Sequence, residues 1–187
     1  MDNPRALALV VNPQIVGHAL NKVIMDGGSR INIIYYNTFR CLGLSDNQLQ
    51  FSATTFHGII PGKSARPVGR VSLEVTFGDI TNFHSKVISF KVVKIQSPYH
   101  AIFGRAAYIK SMARPYYTYL KLKMPGPHGV ITVQGSHDIA LACEKNGATY
   151  AEAACNTEHH RVHRKPDIED SMLESSTALK EPESPDQ

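Results

Sequence analysis

Few residues in this chain have the type and spacing for chemistry. The run Val23-Ile24-Met25-Asp26-Gly27-Gly28-Ser29 presents one ionisable side chain directly after a short apolar stretch and follows it with small residues. A carboxylate placed there is available for proton transfer. Read alone, Asp-Gly-Gly is equally the composition of a turn. Three later segments give Asp26 a context: a Gly/Pro-rich stretch from Gly58 to Gly69, the apolar strand end Ala101-Ile102-Phe103 followed by Gly104-Arg105, and a closing hairpin around Pro125 to Gly129.

A second group, Cys155, His159, His160 and His163, carries thiolate and imidazole ligands of the kind zinc uses. No second cysteine stands at ligand spacing, and the three cysteines, Cys41, Cys143 and Cys155, are odd in number and far apart. No metal site and no disulfide framework is expected. Gly-x-Ser-x-Gly, phosphate-loop and dinucleotide fingerprints are missing, so no cofactor is expected either.

The elements that must position Asp26 read as mostly β. An apolar run over residues 6–11, a break at Asn12-Pro13 and a second run ending in Val23-Ile24-Met25 suggest two strands that carry Asp26 to a loop tip. From Ile31, apolar residues recur at three- and four-residue spacing through Ile34, Tyr35, Phe39 and Leu42, which predicts a short helix over 34–42, ended by Gly43. Val71, Leu73, Val75 and Phe77 alternate with Ser72, Glu74 and Thr76, the period of a half-buried strand. Residues 84–95 give another strand, residues 105–112 a helical stretch, and residues 116–133 two alternating runs about a Pro/Gly turn.

Composition sets the limits. The 187 residues are 42% hydrophobic and 19% charged, enough apolar material for one packed domain with chain to spare. The net charge of +4 divides unevenly: residues 1–143 hold 15 Lys/Arg against 6 Asp/Glu, net +9, and residues 144–187 hold 5 against 10, net −5. The basic side chains are scattered among the strands, which suits a solvated surface, so nucleic acid is not an expected partner of this domain. Beyond Asn156 the chain is rich in Glu, Asp, Ser and Pro, a composition that buries too little apolar surface to fold, and 156–187 is expected to be a disordered acidic tail. No stretch is long and apolar enough for a membrane span. The start lacks a cationic and then apolar leader, so an intracellular protein, cytoplasmic or nuclear, is expected.

The order of strand, Asp-x-Gly, helix, Gly/Pro-rich hairpin, and apolar-apolar-Gly resembles a retropepsin-like aspartic protease. The stretches 23–39, 56–78, 99–113 and 116–133 are more closely similar to the protease region of gypsy-type long-terminal-repeat retrotransposon polyproteins of plants. The resemblance spans residues 5–135 and implies a mainly β fold, a retropepsin-like closed barrel that is half of a pepsin-type fold, with one or two short helices. Residues 136–155 would be a linker, with a helix as one form open to it, ahead of the tail. It implies Asp26 as the catalytic carboxylate, Gly28 as the motif glycine whose amide approaches it, and Gly58, Ile59 and Ile60 as substrate-binding residues of a flap. It also implies a homodimer acting on a peptide or polyprotein substrate. Hydrolysis by this route uses two carboxylates sharing one proton. Only Asp26 of the eight aspartates stands in an Asp-x-Gly context, so each chain would supply half a site. The middle position, Thr or Ser in active members, is Gly27, which removes a hydroxyl that helps lock the two loops across the dimer; Ser29 offers another.

Two functions stay open on the sequence. One is an aspartic endopeptidase domain of a retrotransposon polyprotein. The other is a catalytically inactive, retroelement-derived binding or dimerisation module.

Overall fold

The computed structural model describes residues 7–53, 56–60 and 63–147, with 56–60 and 63–65 as backbone only. The described residues fall in one compact unit, Met1–Glu152. The expected tail over 156–187 and the Cys155, His159, His160 and His163 group lie outside the described residues.

Among the described residues, thirteen strands and two α-helices follow in chain order: β1 (Val10–Val11), β2 (Gln14–Ile15), β3 (His18–Ala19), β4 (Val23–Met25), β5 (Ile33–Tyr35), α1 (Tyr36–Cys41), β6 (Phe56–Ile60), β7 (Lys63–Ala65), β8 (Gly69–Gly78), β9 (Phe83–Val93), β10 (Ala101–Phe103), α2 (Arg105–Ser111), β11 (Arg114–Tyr116), β12 (Lys121–Gly126) and β13 (Gly129–Gln134). Residues 137–147 form a further helix. Eight strands make one sheet in the order β1-β4-β10-β5-β9-β8-β2-β3, curled into a half barrel; β11-β12-β13 form a second sheet and β6-β7 a third. The mainly β expectation holds, with few and short helices.

The longest ladder shows why the sequence folds this way. In β8 the odd positions Val71, Leu73, Val75 and Phe77 are buried and the intervening Arg70, Ser72 and Glu74 are exposed, so period-two patterning places one face on the core. β8 pairs with β9 antiparallel from Gly69↔Val92 to Gly78↔Phe83. Phe77, Phe90 and Phe103 meet in the core, with Phe103 edge-on to Phe77 at 6.0 Å and tilted against Phe90 at 5.3 Å. Leu122, Met124 and Ile131 bring the second sheet onto the same core. Residues 137–147 pack there through Ala140.

Two local expectations change. The amino-terminal region holds four short strands in place of the two expected, because Val16 and Gly17 take positive φ (49° and 76°) and fold β2 back on β3. The predicted helix over 34–42 begins only at Tyr36, since Ile33, Ile34 and Tyr35 are a strand. All three are buried between β10 and β9. A central strand covered on both faces has no polar alternation, so its apolar residues mimic a helical stripe.

Candidate active site

Asp26 leaves the sheet at the end of β4, whose neighbours are β1, antiparallel, and β10, parallel. The parallel register pairs Val23 with Ala101, Ile24 with Ile102 and Met25 with Phe103. Asp26 and Gly104 are therefore the first residues to depart from the two strands. Main-chain bonds hold the departure point: Met25 N–H donates to the Leu9 carbonyl at 2.9 Å and Asp26 N–H to the Phe103 carbonyl at 2.8 Å. The half-buried carboxylate is oriented from its own loop, Gly28 N–H donating to Asp26 Oδ1 at 2.9 Å, and Ser29 N–H closes the turn on the Asp26 carbonyl at 3.2 Å. A backbone donor to a carboxylate is a charge-assisted bond that fixes its direction.

Beneath this loop lies Gly104. A Cβ built on it would stand 2.4 Å from the Ile31 carbonyl oxygen and 2.7 Å from that of Ser29, so no other residue permits the approach. Arg105 N–H donates to the Ser29 carbonyl at 2.8 Å, tying the start of α2 to the same loop.

Asn32 completes the support, a role that the sequence reading missed. Its buried side chain accepts from Gly104 N–H at 2.9 Å and donates to the Ser89 carbonyl at 3.0 Å, while its carbonyl accepts from Lys91 N–H at 2.9 Å. One side chain thus joins β10, β9 and the segment following Asp26. The only sequence signal was a lone amide within Ile31-Asn32-Ile33-Ile34, where a buried polar group must find partners.

Ser29 makes its side-chain contacts close by in sequence. Its Oγ donates to the Ile31 carbonyl at 2.8 Å and is spent within its own loop. The hydroxyl beside Gly27 comes from far along the chain: Tyr117 Oη lies 3.4 Å from where a Gly27 Cβ would be. Tyr117 Oη is in turn 3.3 Å from Tyr108 Oη. Burial pushes the Tyr108 phenol up, and the Tyr117 hydroxyl and the Asp26 carboxylate add to the rise, so Tyr108 stays a neutral O–H.

The other described aspartates serve elsewhere. Asp46 accepts from Tyr36 Oη, and Asp138 lies 3.6 Å from His137. Asp79 caps the β8–β9 turn, held below the usual carboxylate range by the Thr81 hydroxyl and the Thr81 and Asn82 amides. Gly58, Ile59 and Ile60 fall in β6, which pairs with β7 in a two-stranded sheet whose register shifts between His57 and Ile60. That hairpin shares no ladder with the strand bearing Asp26. Among the described residues no group of three or more His, Cys, Asp or Glu is arranged to hold a metal.

No family model and no curated protein matches this sequence. Solved structures do. The retroviral protease-like domain of Ddi1 from Leishmania major aligns with a TM-score of 0.54 at 17% identity, covering 70% of this chain and 95% of that one. A retropepsin-like aspartic protease from Rickettsia conorii aligns at 0.43 and 14% identity over 66% of this chain and 79% of its own. EIAV protease, complexed with the inhibitor HBY-793, aligns at 0.44 and 17% identity over 59% and 94%. With its curled half-barrel sheet, short helices and likeness to the Ddi1 domain, this chain has the retropepsin-like fold.

Proposed function

We propose that this chain is an aspartic endopeptidase domain over residues 5–135, derived from a plant gypsy-type retrotransposon polyprotein, whose active site forms when two copies bring their Asp26 carboxylates together. The observation that carries this reading is the presentation of Asp26: a carboxylate at the tip of a core strand, aimed by the Gly28 amide at 2.9 Å, on a loop seated against Gly104 in a retropepsin-like fold.

In the paired site one ionised Asp26 takes a proton from water as the oxygen adds to the scissile carbonyl carbon, and the other, protonated, gives its proton to the carbonyl oxygen. The gem-diol then collapses: the Asp26 that took the water proton gives it to the nitrogen, the other, now ionised, takes a proton from a gem-diol hydroxyl, the C–N bond breaks, and a free amine and a carboxylic acid leave the pair with one proton between them as at the start. Hydrogen-bonded carboxylates on rigid strands suit this, because the proton moves between groups already in place. The β6–β7 hairpin, with Gly58, Ile59 and Ile60, would close over an extended peptide and exclude water. The site of action would be intracellular, cytoplasmic or nuclear.

Incubation of the wild-type chain and Asp26→Asn with a peptide library at acidic pH tests the reading. Cleavage by the wild type that Asp26→Asn lacks supports it; equal cleavage or none overturns it. A second reading rests on Gly27: without a hydroxyl at that position, the chain would keep the fold as a binding or dimerisation module and cleave nothing.

A further inference from the structure

The residue beside the Asp26 loop that no sequence motif identifies is Tyr117. It sits in the 3-10 turn Tyr117–Tyr119, directly after β11, and its hydroxyl reaches back across 90 positions to Gly27. A Gly27 Cβ would meet that oxygen at 3.4 Å, the near edge of ordinary contact. The space in which a side chain at position 27 would extend is therefore already bordered by a hydroxyl. Tyr117 is itself 41% exposed, but Tyr108, its partner at 3.3 Å, is buried in α2 and fixed by the core.

Resting on the endopeptidase reading, we infer that Tyr117, anchored by Tyr108, is a positioning residue for the Asp26 loop, its hydroxyl standing where a hydroxyl-bearing side chain at position 27 would otherwise stand. A phenol carries one proton and can also accept. When Tyr108 donates to Tyr117, the Tyr117 proton is free to point at the loop that holds the carboxylate. Neutrality of Tyr108 keeps that donor available across the pH range in which a carboxylate pair works. A Cβ at position 27 would stand in ordinary contact with the Tyr117 hydroxyl, which therefore borders the space that a larger side chain there would enter.

Five proteins separate the outcomes: wild type, Tyr117→Phe, Tyr108→Phe, the double variant Gly27→Ser with Tyr117→Phe, and Asp26→Asn. Tyr117→Phe keeps the ring and removes the hydroxyl; it is expected to lower kcat about tenfold while KM stays within about twofold, and to change the pH profile of kcat. The Gly28 amide proton resonance, which reports the bond to Asp26 Oδ1, is expected to move in the same variant. The double variant, which returns a hydroxyl from position 27, is expected to recover much of the loss, and Tyr108→Phe to shift the Gly28 resonance in the same direction as Tyr117→Phe. Wild-type kcat and an unmoved Gly28 resonance in Tyr117→Phe overturn the inference, and leave the endopeptidase reading standing if Asp26→Asn is inactive. If wild type and Asp26→Asn behave alike, the endopeptidase reading fails and the Gly28 resonance alone decides: unmoved in Tyr117→Phe, the positioning role falls; moved and restored in the double variant, it stands.

Discussion

The backbone N–H of Asp26 donates to the carbonyl oxygen of Phe103 at 2.8 Å, and the Phe103 side chain is wholly buried between Phe77 and Phe90. The carboxylate proposed for catalysis is thus attached, through one main-chain bond, to the aromatic centre of the core. Placement of the site and stability of the fold are coupled at this point. Precise presentation of a reactive group demands such a rigid base.

Gly104→Ala tests the contact beneath the loop. Its Cβ would lie 2.4 Å from the Ile31 carbonyl oxygen, closer than any real contact, so the loop or β10 must shift. A loss of about 2–4 kcal/mol is expected, comparable with other overpacked or strained positions. Urea denaturation measures it, and a stability within about 0.5 kcal/mol of wild type would contradict the geometry.

Asn32→Leu keeps the approximate volume and removes both side-chain hydrogen bonds. Gly104 N–H and the Ser89 carbonyl lose their partner, and an orphaned buried group costs about 1–3 kcal/mol. Thermal unfolding is expected to fall accordingly. Hydrogen exchange at Gly104 should accelerate more than exchange across β12 and β13.

Stability should weaken on acidification through His84 and His100. Burial lowers both imidazole values, with Lys86 adding to the effect on His84 and Lys22 on His100, while the Pro125 backbone acts in the opposite sense on His84. His84 Nε2 and His100 Nδ1 are buried without a hydrogen-bond partner. The folded values lie below the ordinary 6.5, so just below that pH the unfolded chain binds more protons than the folded one. Their contribution is complete above about 6.5 and is lost as pH falls through the folded values. Urea midpoints at about pH 7.5 and about pH 5 should differ, and His100→Gln should narrow the difference. Any acid-favoured cleavage therefore works against a fold that is losing stability over the same range.

Sedimentation tests the pairing of two half-sites. A monomer–dimer equilibrium that depends on concentration is expected, because each chain supplies one Asp-x-Gly carboxylate. Ile109, Met112, Tyr116 and Tyr119 are large apolar side chains exposed close in sequence to Tyr117. A strict monomer at high concentration would leave the site unassembled and favour the binding-module reading.

Some of this protein was written in the order of its residues. Alternation marked β8, the Pro/Gly turn marked the β12–β13 hairpin, and Asp26 stood out as a carboxylate after an apolar run, because these features depend on neighbours within a few positions. The tertiary structure decided what depends on distant partners. Ile33, Ile34 and Tyr35 became a strand because β9 and β10 enclose them, overriding a spacing that suited a helix. Asn32 became a support because Gly104 and Ser89 converge on it from 72 and 57 positions away. Ser29 was spent on its own loop, and the hydroxyl beside Gly27 came from Tyr117. Such pairings are chosen by packing in three dimensions, where a side chain's partner is set by which strands lie side by side, and no local periodicity records that choice.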